Sequence, residues 1–372
     1  MMPRIVAEIG TAHGGDIARA RRLVRAARDA GAETAKFQLV RAAEILHPQT
    51  GPVDLPGGSV ALYERFRSLE RPESFYSELK AICEEEDMRF LCTPFGIESA
   101  RVLKHIGVHE IKIASPELNH FPLLQEVAAY DMPLIVSAGV ARLCDIAESV
   151  ELLRSNGRMP TVLHCITAYP APEEEYNVRV LPSLQRSLGV PVGISDHSTD
   201  PVLIPALATL MGATVIEKHI TLDRNDGGLD DPIARQPEEF ATMTGRVRAI
   251  ASRLDAVADD PVAHRAAEIE ILQELRNEFG ADRVNRALGD GVKRLAPSEQ
   301  RSYGYTNRSI HALKDLSPGE PLTSESIAIL RSERNLTPGL HPRYWQTILG
   351  TRLTRAVAAG AGISWSDLTT TS

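Results

Sequence analysis

Eight short apolar segments rich in β-branched residues follow one another between residues 4 and 220, and each is separated from the next by a segment with helical spacing. Runs of this composition are typical of strands in a parallel sheet that is covered on both faces. Eight consecutive β/α units predict a (β/α)8 TIM barrel, whose active site lies at the carboxyl ends of the strands. A doubly wound open sheet is the alternative, but no GxGxxG motif follows the first segment, RIVAEIG at 4–10.

Nearly every predicted strand ends in a polar or charged residue. These residues are Glu8, Lys36, Thr93, Lys112, Ser137, Thr167, His197 and His219. In a barrel with a purely structural role, one or two such ends would be unremarkable. The pattern therefore predicts a functional site on the rim where the strands end.

Two of these strand ends carry histidine, in VGISDHSTD (192–200) and VIEKHITLD (215–223). The apolar segment between them has the length of a packed helix, so the two strands are predicted to run parallel and to end on the same rim. Two imidazoles side by side could bind a divalent metal. The alternative is that His197 and His219 are hydrogen-bonded residues near the core.

Two lysines, Lys36 and Lys112, lie inside strand patterns, where a lysine needs a partner. If both point into the barrel mouth, they form a cationic floor suited to phosphate and carboxylate. The alternative is that each pairs with a carboxylate such as Glu8. Hydroxyl donors from four different predicted strands would suit phosphate oxygens: Thr93, Ser115, Ser137 and Ser195.

Several carboxylates are candidates for acid–base chemistry or for supporting a metal, and a salt bridge is the alternative for each. They are Glu8, Glu117, Asp196, Glu217 and Asp230. The residues alone thus indicate a barrel enzyme with an anionic substrate and leave a metal as an option.

Composition excludes some classes of function. The chain has 372 residues and a formal charge of −8, and no basic run is interleaved with aromatic residues, which argues against nucleic acid as a partner. The four cysteines show no CxxC spacing, so we expect reduced thiols, most of them buried. We expect neither a signal peptide nor a membrane span, and a cytoplasmic location.

The length favours a barrel followed by a small domain. We predict a barrel domain at 1–280, a linker at 281–302 and a small β-rich domain at 303–372. Residues 41–71 are expected to form a long polar connection, with the loop signature PVDLPGG inside it.

An ordered set of short motifs resembles the sialic acid synthase family, the N-acetylneuraminate synthase type of phosphoenolpyruvate-condensing enzyme. The motifs are AEIG-x-x-H-x-G-D, KFQ, TPF, KIAS-x-E, SAG, LHC-x-x-x-YPAP, GISDH and GA-x-x-IEKH-x-TLDR. Each motif is weak alone, whereas the ordered set is specific and spans nearly the whole chain. The segment from NRSIHALKDLSPGEPLT onward resembles the family's antifreeze-like (SAF) domain.

This resemblance implies condensation of phosphoenolpyruvate with an N-acetylated amino-sugar aldehyde, such as N-acetylmannosamine, to give a nonulosonic acid and phosphate. It places a divalent metal, manganese or magnesium, on His197 and His219, and makes Glu117, Lys36 and Lys112 the catalytic set. Phosphoenolpyruvate would contact both lysines together with Thr93, Ser115, Ser137, Thr167 and Ser195. Glu8, Gln38, Tyr169 and Asp230 would face the acceptor sugar.

The resemblance also implies a domain-swapped homodimer, in which the small domain reaches the partner subunit's barrel. Arg308 matches the family's arginine that contacts the N-acetyl group of the sugar; a surface salt bridge is the alternative.

Three positions depart from the family pattern: Ala12 replaces an asparagine, Asp231 replaces a histidine, and Ala234 replaces a serine. They lie where the resemblance would place the acceptor, so they leave its identity open. The alternatives are a different aldehyde, such as a sugar phosphate or a nucleoside-derived aldehyde, and a catalytically silent sugar-binding homologue.

Overall fold

Parallel strands close into a barrel in the computed structural model, which describes residues 2–55 and 58–369. The strands, in chain order, are β1 (Arg4–Gly10), β2 (Thr34–Leu39), β3 (Pro52–Leu55), β4 (Gly58–Ala61), β5 (Arg89–Pro94), β6 (Ile111–Ile113), β7 (Leu134–Ser137), β8 (Thr161–Cys165), β9 (Val192–Asp196), β10 (Val215–His219), β11 (Arg308–Ala312) and β12 (Ile327–Arg331). The order around the barrel is β1-β10-β9-β8-β7-β6-β5-β2. The predicted TIM barrel is confirmed.

Helices follow most of these strands and cover the outside of the barrel, except that the last of them lies in the small domain. They are α1 (Ile17–Asp29), α2 (Leu62–Leu69), α3 (Glu73–Glu85), α4 (Ile97–His105), α5 (Phe121–Ala128), α6 (Leu143–Ser155), α7 (Val180–Leu188), α8 (Leu203–Leu210), α9 (Pro237–Asp255), α10 (Pro261–Phe279), α11 (Ala281–Leu288) and α12 (Trp345–Ile348). No helix in the described ranges combines the length and apolar character needed to cross a membrane.

The alternation of side chains along each strand separates the core from the site. Outward residues such as Ile5 and Ile216 belong to the large cluster that packs under the helices. A separate apolar cluster consists of residues from five barrel strands: Val6, Leu91, Ile135, Leu163 and Val215. Two residues further along β10 comes Glu217, so the same inward face becomes polar towards the carboxyl ends.

Two stretches contain more regular structure than the sequence indicated. The connection at 41–71 contains the antiparallel pair β3–β4 and helix α2, and the linker predicted at 281–302 begins with α11. Residues 56 and 57 of the PVDLPGG signature lie outside the described residues. Its remaining residues form β3 and the first residue of β4, so most of the predicted loop is strand.

The small domain has the antiparallel pair β11–β12 and a separate apolar core. Ile310, Leu322 and Ile363 belong to this core and are nearly fully buried. Isolated bridges, such as His311 with Gly362, join its remaining segments. Residues 370–372 of the predicted domain lie outside the described part of the chain.

The small domain packs against the barrel of its own chain. Arg331, at the end of β12, forms a parallel bridge with Leu46, and its backbone nitrogen donates to Ile45 O at 2.9 Å. The side chain of Asn119 bonds both backbone groups of Arg308, at 2.8 and 2.9 Å. This docking brings the end of β12 and the start of β11 beside the carboxyl ends of the barrel strands.

Candidate active site

A layer of paired charges fills the barrel where the strands end. Glu217 accepts hydrogen bonds from Lys112 Nζ at 3.1 Å to each oxygen and from Ser195 Oγ at 3.0 Å. Lys36 Nζ lies 3.6 Å from Glu217 and 2.8 Å from Glu8. The four charged side chains are nearly fully buried. The sequence left two alternatives for the lysines, and both apply: they line the mouth and they are paired with carboxylates.

The pKa values of this layer follow from burial and from the neighbouring charges. Burial alone would raise the pKa of Glu217, but the ammonium groups of Lys112 and Lys36 lower it to about 2. Burial opposes the charge on Lys36, but Glu217 and Glu8 raise its pKa above the ordinary value. Burial lowers the pKa of Lys112, and Glu217 only partly offsets this. Lys36 and Glu217 are therefore ionised at neutral pH.

Hydroxyl groups surround Gly139 beside this layer; we call Gly139, Ser115 and Thr167 together the Gly139 cradle. Ser115 Oγ accepts from Gly139 N at 3.0 Å. A Cβ at Gly139 would lie 2.1 Å from Thr167 Oγ1 and 2.9 Å from Ser115 Oγ, so the backbone can come this close only without a side chain. Ser137 Oγ is buried and has no hydrogen-bond partner among the described residues. The geometry suits the oxygens of a phosphate group.

His197 and His219 lie side by side on the rim, with ring centroids 5.4 Å apart. Nδ1 of His197 is 2.9 Å from Ile166 O, and a carbonyl can only accept, so this nitrogen carries a proton. Burial opposes a charge on this ring, but the neighbouring Cys165 raises the pKa of His197 to about 9, so Nε2 would have to release its proton to bind a metal. Burial and the positive charges of His197 and Lys36 push the pKa of His219 well below its ordinary value, which keeps this imidazole neutral.

These two rings fit a divalent ion as a site with two protein ligands and open remaining positions. In the described ranges no group of three or more His, Cys, Asp or Glu side chains is arranged to bind a metal. The Oδ2 atom of Asp230 lies 3.9 Å from His219 Nδ1. A substrate oxygen or water would have to complete the coordination.

The residues predicted to face an acceptor form one wall of the mouth. Tyr169 stacks on His197 with centroids 4.3 Å apart, and Gln38 Nε2 donates to Glu8 Oε1 at 2.7 Å. Burial and the charge of Glu8 raise the pKa of Asp230 to about 6. The structure thus brings Glu8, Gln38, Tyr169 and Asp230 together next to the histidine pair.

The altered positions contribute little to that wall. Asp231 is buried, and its carboxylate accepts from Gly228 N at 2.7 Å, so it bonds within its own loop. Ala234 is buried in the same turn, and Ala12 packs against the large barrel core. At the three positions that depart from the family pattern, the chain therefore has one carboxylate bonded within its own loop and two small alanine side chains.

Glu117 joins the barrel to the small domain. It is fully buried and presented by a short 3-10 turn, Ser115–Glu117, directly after β6. Its Oε1 accepts from Arg308 Nη2 at 2.8 Å, Arg308 Nε at 3.2 Å and Arg331 Nη2 at 2.6 Å. Its Oε2 is buried and has no hydrogen-bond partner in the described part of the chain.

Every N–H group of Arg308 has an acceptor inside the protein. Besides Glu117, the guanidinium donates to the backbone oxygens of Glu44 at 2.5 Å and Phe95 at 2.7 Å, with longer contacts to Ile45 and Ile329. A guanidinium has five donors, so none remains for a sugar in this arrangement. The predicted contact of Arg308 with an N-acetyl group stays a prediction, and the geometry favours a role in orienting Glu117.

Two residues of this region were missed by the sequence analysis. Arg331 shares Glu117 with Arg308, and its Nε has no partner among the described residues. Glu299 is fully buried and accepts from backbone groups of two barrel loops. Arg331 follows the apolar run IAIL, a strand-end position like those in the barrel, whereas Glu299 lies in a linker where no pattern marks it.

The (β/α)8 barrel has paired lysines, hydroxyl groups and two histidines at its mouth, next to a β-rich domain. This arrangement is typical of an enzyme that acts on an anionic substrate. Residues 23–259 match the model of the NeuB family, and residues 307–369 match that of the SAF domain. The chain belongs to the NeuB family and carries a C-terminal SAF domain.

Known proteins align over most of the chain. Spore coat polysaccharide biosynthesis protein SpsE of Bacillus subtilis is 32% identical, over 98% of this chain and 93% of its own. An N,N'-diacetyllegionaminic acid synthase of Campylobacter jejuni is 30% identical, over 90% and 91%. The crystal structure of the Bacillus subtilis protein superposes with a TM-score of 0.80 at 30% identity, covering 100% of this chain and 96% of that one.

Proposed function

We propose that the protein condenses phosphoenolpyruvate with an N-acetylated amino-sugar aldehyde, in a metal-dependent reaction that gives a nonulosonic acid and phosphate. As a member of the NeuB family it is a transferase of the phosphoenolpyruvate-condensing kind. The observation that carries the proposal is the position of the Gly139 cradle and the lysine layer in the same barrel mouth as the histidine pair. A phosphate site beside a carbonyl-activating site is what such a condensation needs.

The phosphate end of the substrate would lie against Gly139 and its surrounding hydroxyls, with Lys36 and Lys112 beside it. The lysines are already fixed by Glu8 and Glu217, so their charges would not have to reorganise as the phosphate leaves. Ser137 Oγ, buried without a protein partner, would donate to a phosphate oxygen. This region would bind phosphoenolpyruvate and stabilise the leaving group.

The acceptor would lie against Tyr169, Asp230 and Gln38, where its aldehyde faces the histidine pair. A divalent ion bound by His197 and His219 would polarise the aldehyde oxygen as a Lewis acid. The methylene carbon of phosphoenolpyruvate then forms the new C–C bond with the aldehyde carbon, whose oxygen takes up a proton. The open positions of the two-histidine site leave room for this oxygen.

Glu117 would complete the reaction. After C–C bond formation, water adds to the carbon that bears the phosphate ester, and the C–O bond to phosphate breaks to leave a 2-keto acid. Glu117 Oε2 has no hydrogen-bond partner among the described residues, so it can accept the proton of that water. Arg308 and Arg331 fix the other oxygen and orient the group.

A second aldehyde acceptor remains a candidate because the loop with Asp231 and Ala234 differs from the family pattern. Because the Asp231 carboxylate bonds within its own loop and Ala234 is small and buried, the wall lacks the histidine and serine side chains of the family pattern. A sugar phosphate or a nucleoside-derived aldehyde would satisfy the same chemistry. A silent sugar-binding role fits less well, since the proposed ligands and lysines all converge in the mouth.

We also propose a homodimer in which the small domains are exchanged between partners. The Arg308–Glu117 contact, made within one chain here, would be reproduced between two chains in such an exchange. The four cysteines are free thiols, three of them buried, and this supports assembly in a reducing cytoplasm.

Phosphate release by matched variants tests the proposed function. We expect Lys112→Ala and His219→Ala to lower acceptor-dependent release at least about 100-fold, since charge stabilisation and Lewis-acid activation are each worth that much. Lys104→Ala and His105→Ala, on the outer helix α4, serve as controls and should keep wild-type rates. Undiminished release by either barrel variant would show that the catalytic assignment is wrong.

A further inference from the structure

The segment from Ala296 to Arg308, which leads into the small domain, crosses three barrel loops; we call it the strap. Tyr303 OH donates to Asp145 Oδ2 at 3.0 Å in the region after β7, and Ser298 N donates to Glu175 Oε2 at 3.0 Å after β8. Its last residue, Arg308, is bonded by Asn119 after β6, as described above. The strap thus contacts the loops that follow three consecutive strands.

Within the strap, Glu299 makes further contacts with two of these barrel loops. Its Oε1 accepts the backbone N–H groups of Val140 and Thr167, both at 2.7 Å, and its Oε2 accepts Ala296 N at 3.2 Å. The side chain is fully buried. One oxygen that accepts from both Val140 N and Thr167 N joins the loops after β7 and β8 directly.

Val140 lies in a conformation that needs such support. Its φ of 46° is in the left-handed region, where a β-branched residue is an outlier. Glu299 accepts from its nitrogen, and Asn307 Nδ2 donates to its oxygen at 3.0 Å. The strap therefore bonds both peptide groups of Val140, and strain of this kind persists only where the surroundings determine it.

The residues next to these contacts form the cradle around Gly139. Gly139 precedes Val140, and its nitrogen donates to Ser115 Oγ. The nitrogen of Thr167 is bonded by Glu299 while its hydroxyl lies against Gly139. A change at Glu299 would consequently move two of the three sides of the cradle.

We propose that Glu299 is a positioning residue for the phosphate subsite: it fixes the Gly139 and Thr167 loops in the geometry that binds the phosphate of phosphoenolpyruvate. The inference rests on the proposed function. Both carboxylate oxygens are used by N–H groups of the protein, so Glu299 acts through the loops and does not itself contact the substrate.

Titration calorimetry with phosphoenolpyruvate alone, together with steady-state kinetics, tests the proposal on the full-length protein. Glu299→Gln keeps the shape of the side chain but turns an amide N–H towards at least one backbone N–H. We expect it to weaken phosphoenolpyruvate binding at least about 10-fold. Inorganic phosphate, used as a competitor, should weaken in parallel, while the KM of the acceptor stays within about 2-fold.

Glu175→Gln is the matched control, because Glu175 also accepts from the strap, at Ser298, but bonds neither Val140 nor Thr167. It should bind phosphoenolpyruvate like the wild type. Asn307→Ala removes the other bond to Val140 and should weaken binding in the same direction by less, so it tests the proposal if the Glu299 variant folds poorly.

The outcomes separate the inference from the function on which it rests. Unchanged phosphoenolpyruvate affinity in Glu299→Gln, or an equal loss for the acceptor, would overturn the positioning role. An equal loss in Glu175→Gln would overturn it as well, because the effect would belong to the strap in general. Failure of the wild type to bind phosphoenolpyruvate at all would overturn the proposed function itself.

Discussion

Single residues in the barrel mouth keep their charge through paired neighbours. Glu217 and Lys112 are both buried, and each would be neutral if it stood alone in that environment. Together with Lys36 and Glu8 they form two ammonium groups and two carboxylates in one layer. The lysines are thus paired with carboxylates within the layer, and hydroxyl donors beside it, such as the unpartnered Ser137 Oγ among the described residues, would contribute to phosphate selectivity.

Glu117 is the shared ion-pair partner of two arginines from the small domain. Glu117→Gln would remove the counter-charge of the buried Arg308 and leave Arg331 paired with Glu333 at 3.9 Å, so we expect the free energy of unfolding to fall by about 3–5 kcal/mol. Urea unfolding measures this. Glu148→Gln, which breaks the exposed contact of Arg343 between the same two domains, should cost less than about 1 kcal/mol. Equal losses would refute the role given to Glu117.

His311 gives the small domain a dependence on pH. Burial lowers the pKa of this fully buried histidine to about 4, helped by the nearby charges of His47 and Arg308, while Nδ1 donates to Gly360 O. Between pH 6.5 and 4 the unfolded chain binds a proton that the folded chain does not. The stabilisation is therefore complete above pH 6.5 and is lost as the pH falls towards 4.

Replacement of His311 by asparagine tests this, since the asparagine amide nitrogen can donate to Gly360 as Nδ1 does. Between pH 6.5 and 5 we expect the wild type to lose about 2 kcal/mol more of its free energy of unfolding than His311→Asn. Urea unfolding at the two pH values supplies the comparison. Parallel losses in the two proteins would show that His311 titrates alike in the folded and unfolded states.

At the level of strands and helices, the barrel interior leaves no room at β9. A Cβ at Gly193 would lie 2.3 Å from Val215 O and 2.7 Å from Leu163 Cδ2. We expect Gly193→Ala to destabilise the barrel by about 1–3 kcal/mol through overpacking. Gly245→Ala, in helix α9 with open space around it, should instead stabilise by up to about 1 kcal/mol. Thermal unfolding distinguishes the two, and an unaffected Gly193 variant would contradict the packing.

The elements that sequence could predict are those with strong periodicity. The barrel strands from Glu8 to His219 were predictable because continuous apolar, β-branched runs followed by a polar residue mark them. Helix α2 and the β3–β4 pair were not, because short elements in a polar stretch lack such a signal. Glu299 was hidden for a different reason: its role depends on contacts with residues more than a hundred positions away.

At the scale of the whole molecule, the small domain and the strap together determine the shape of the mouth. Arg308 and Arg331 reach Glu117 from the domain, while Glu299 bonds the phosphate loops from the strap. Docking of the small domain is therefore coupled physically to both ends of the proposed site. The match to known structures covers barrel and SAF domain as one unit, in keeping with this arrangement.

The proposed exchange of small domains predicts the oligomeric state. Sedimentation equilibrium at micromolar concentration should give twice the chain mass of 40.6 kDa. A monomer under these conditions would refute the exchange and leave the contact of Arg308 with Glu117 within one chain.

The central claim is that one barrel mouth joins phosphoenolpyruvate to an aldehyde. The most direct test is to incubate the protein with phosphoenolpyruvate and Mn²⁺, together with N-acetylmannosamine, a diacetamido-trideoxyhexose or no acceptor, and to measure phosphate release and product mass. The account predicts release that depends on one acceptor, with a product equal in mass to aldehyde plus phosphoenolpyruvate plus water minus phosphoric acid. Release without any acceptor, or no product with any aldehyde tested, including sugar phosphates, would contradict it.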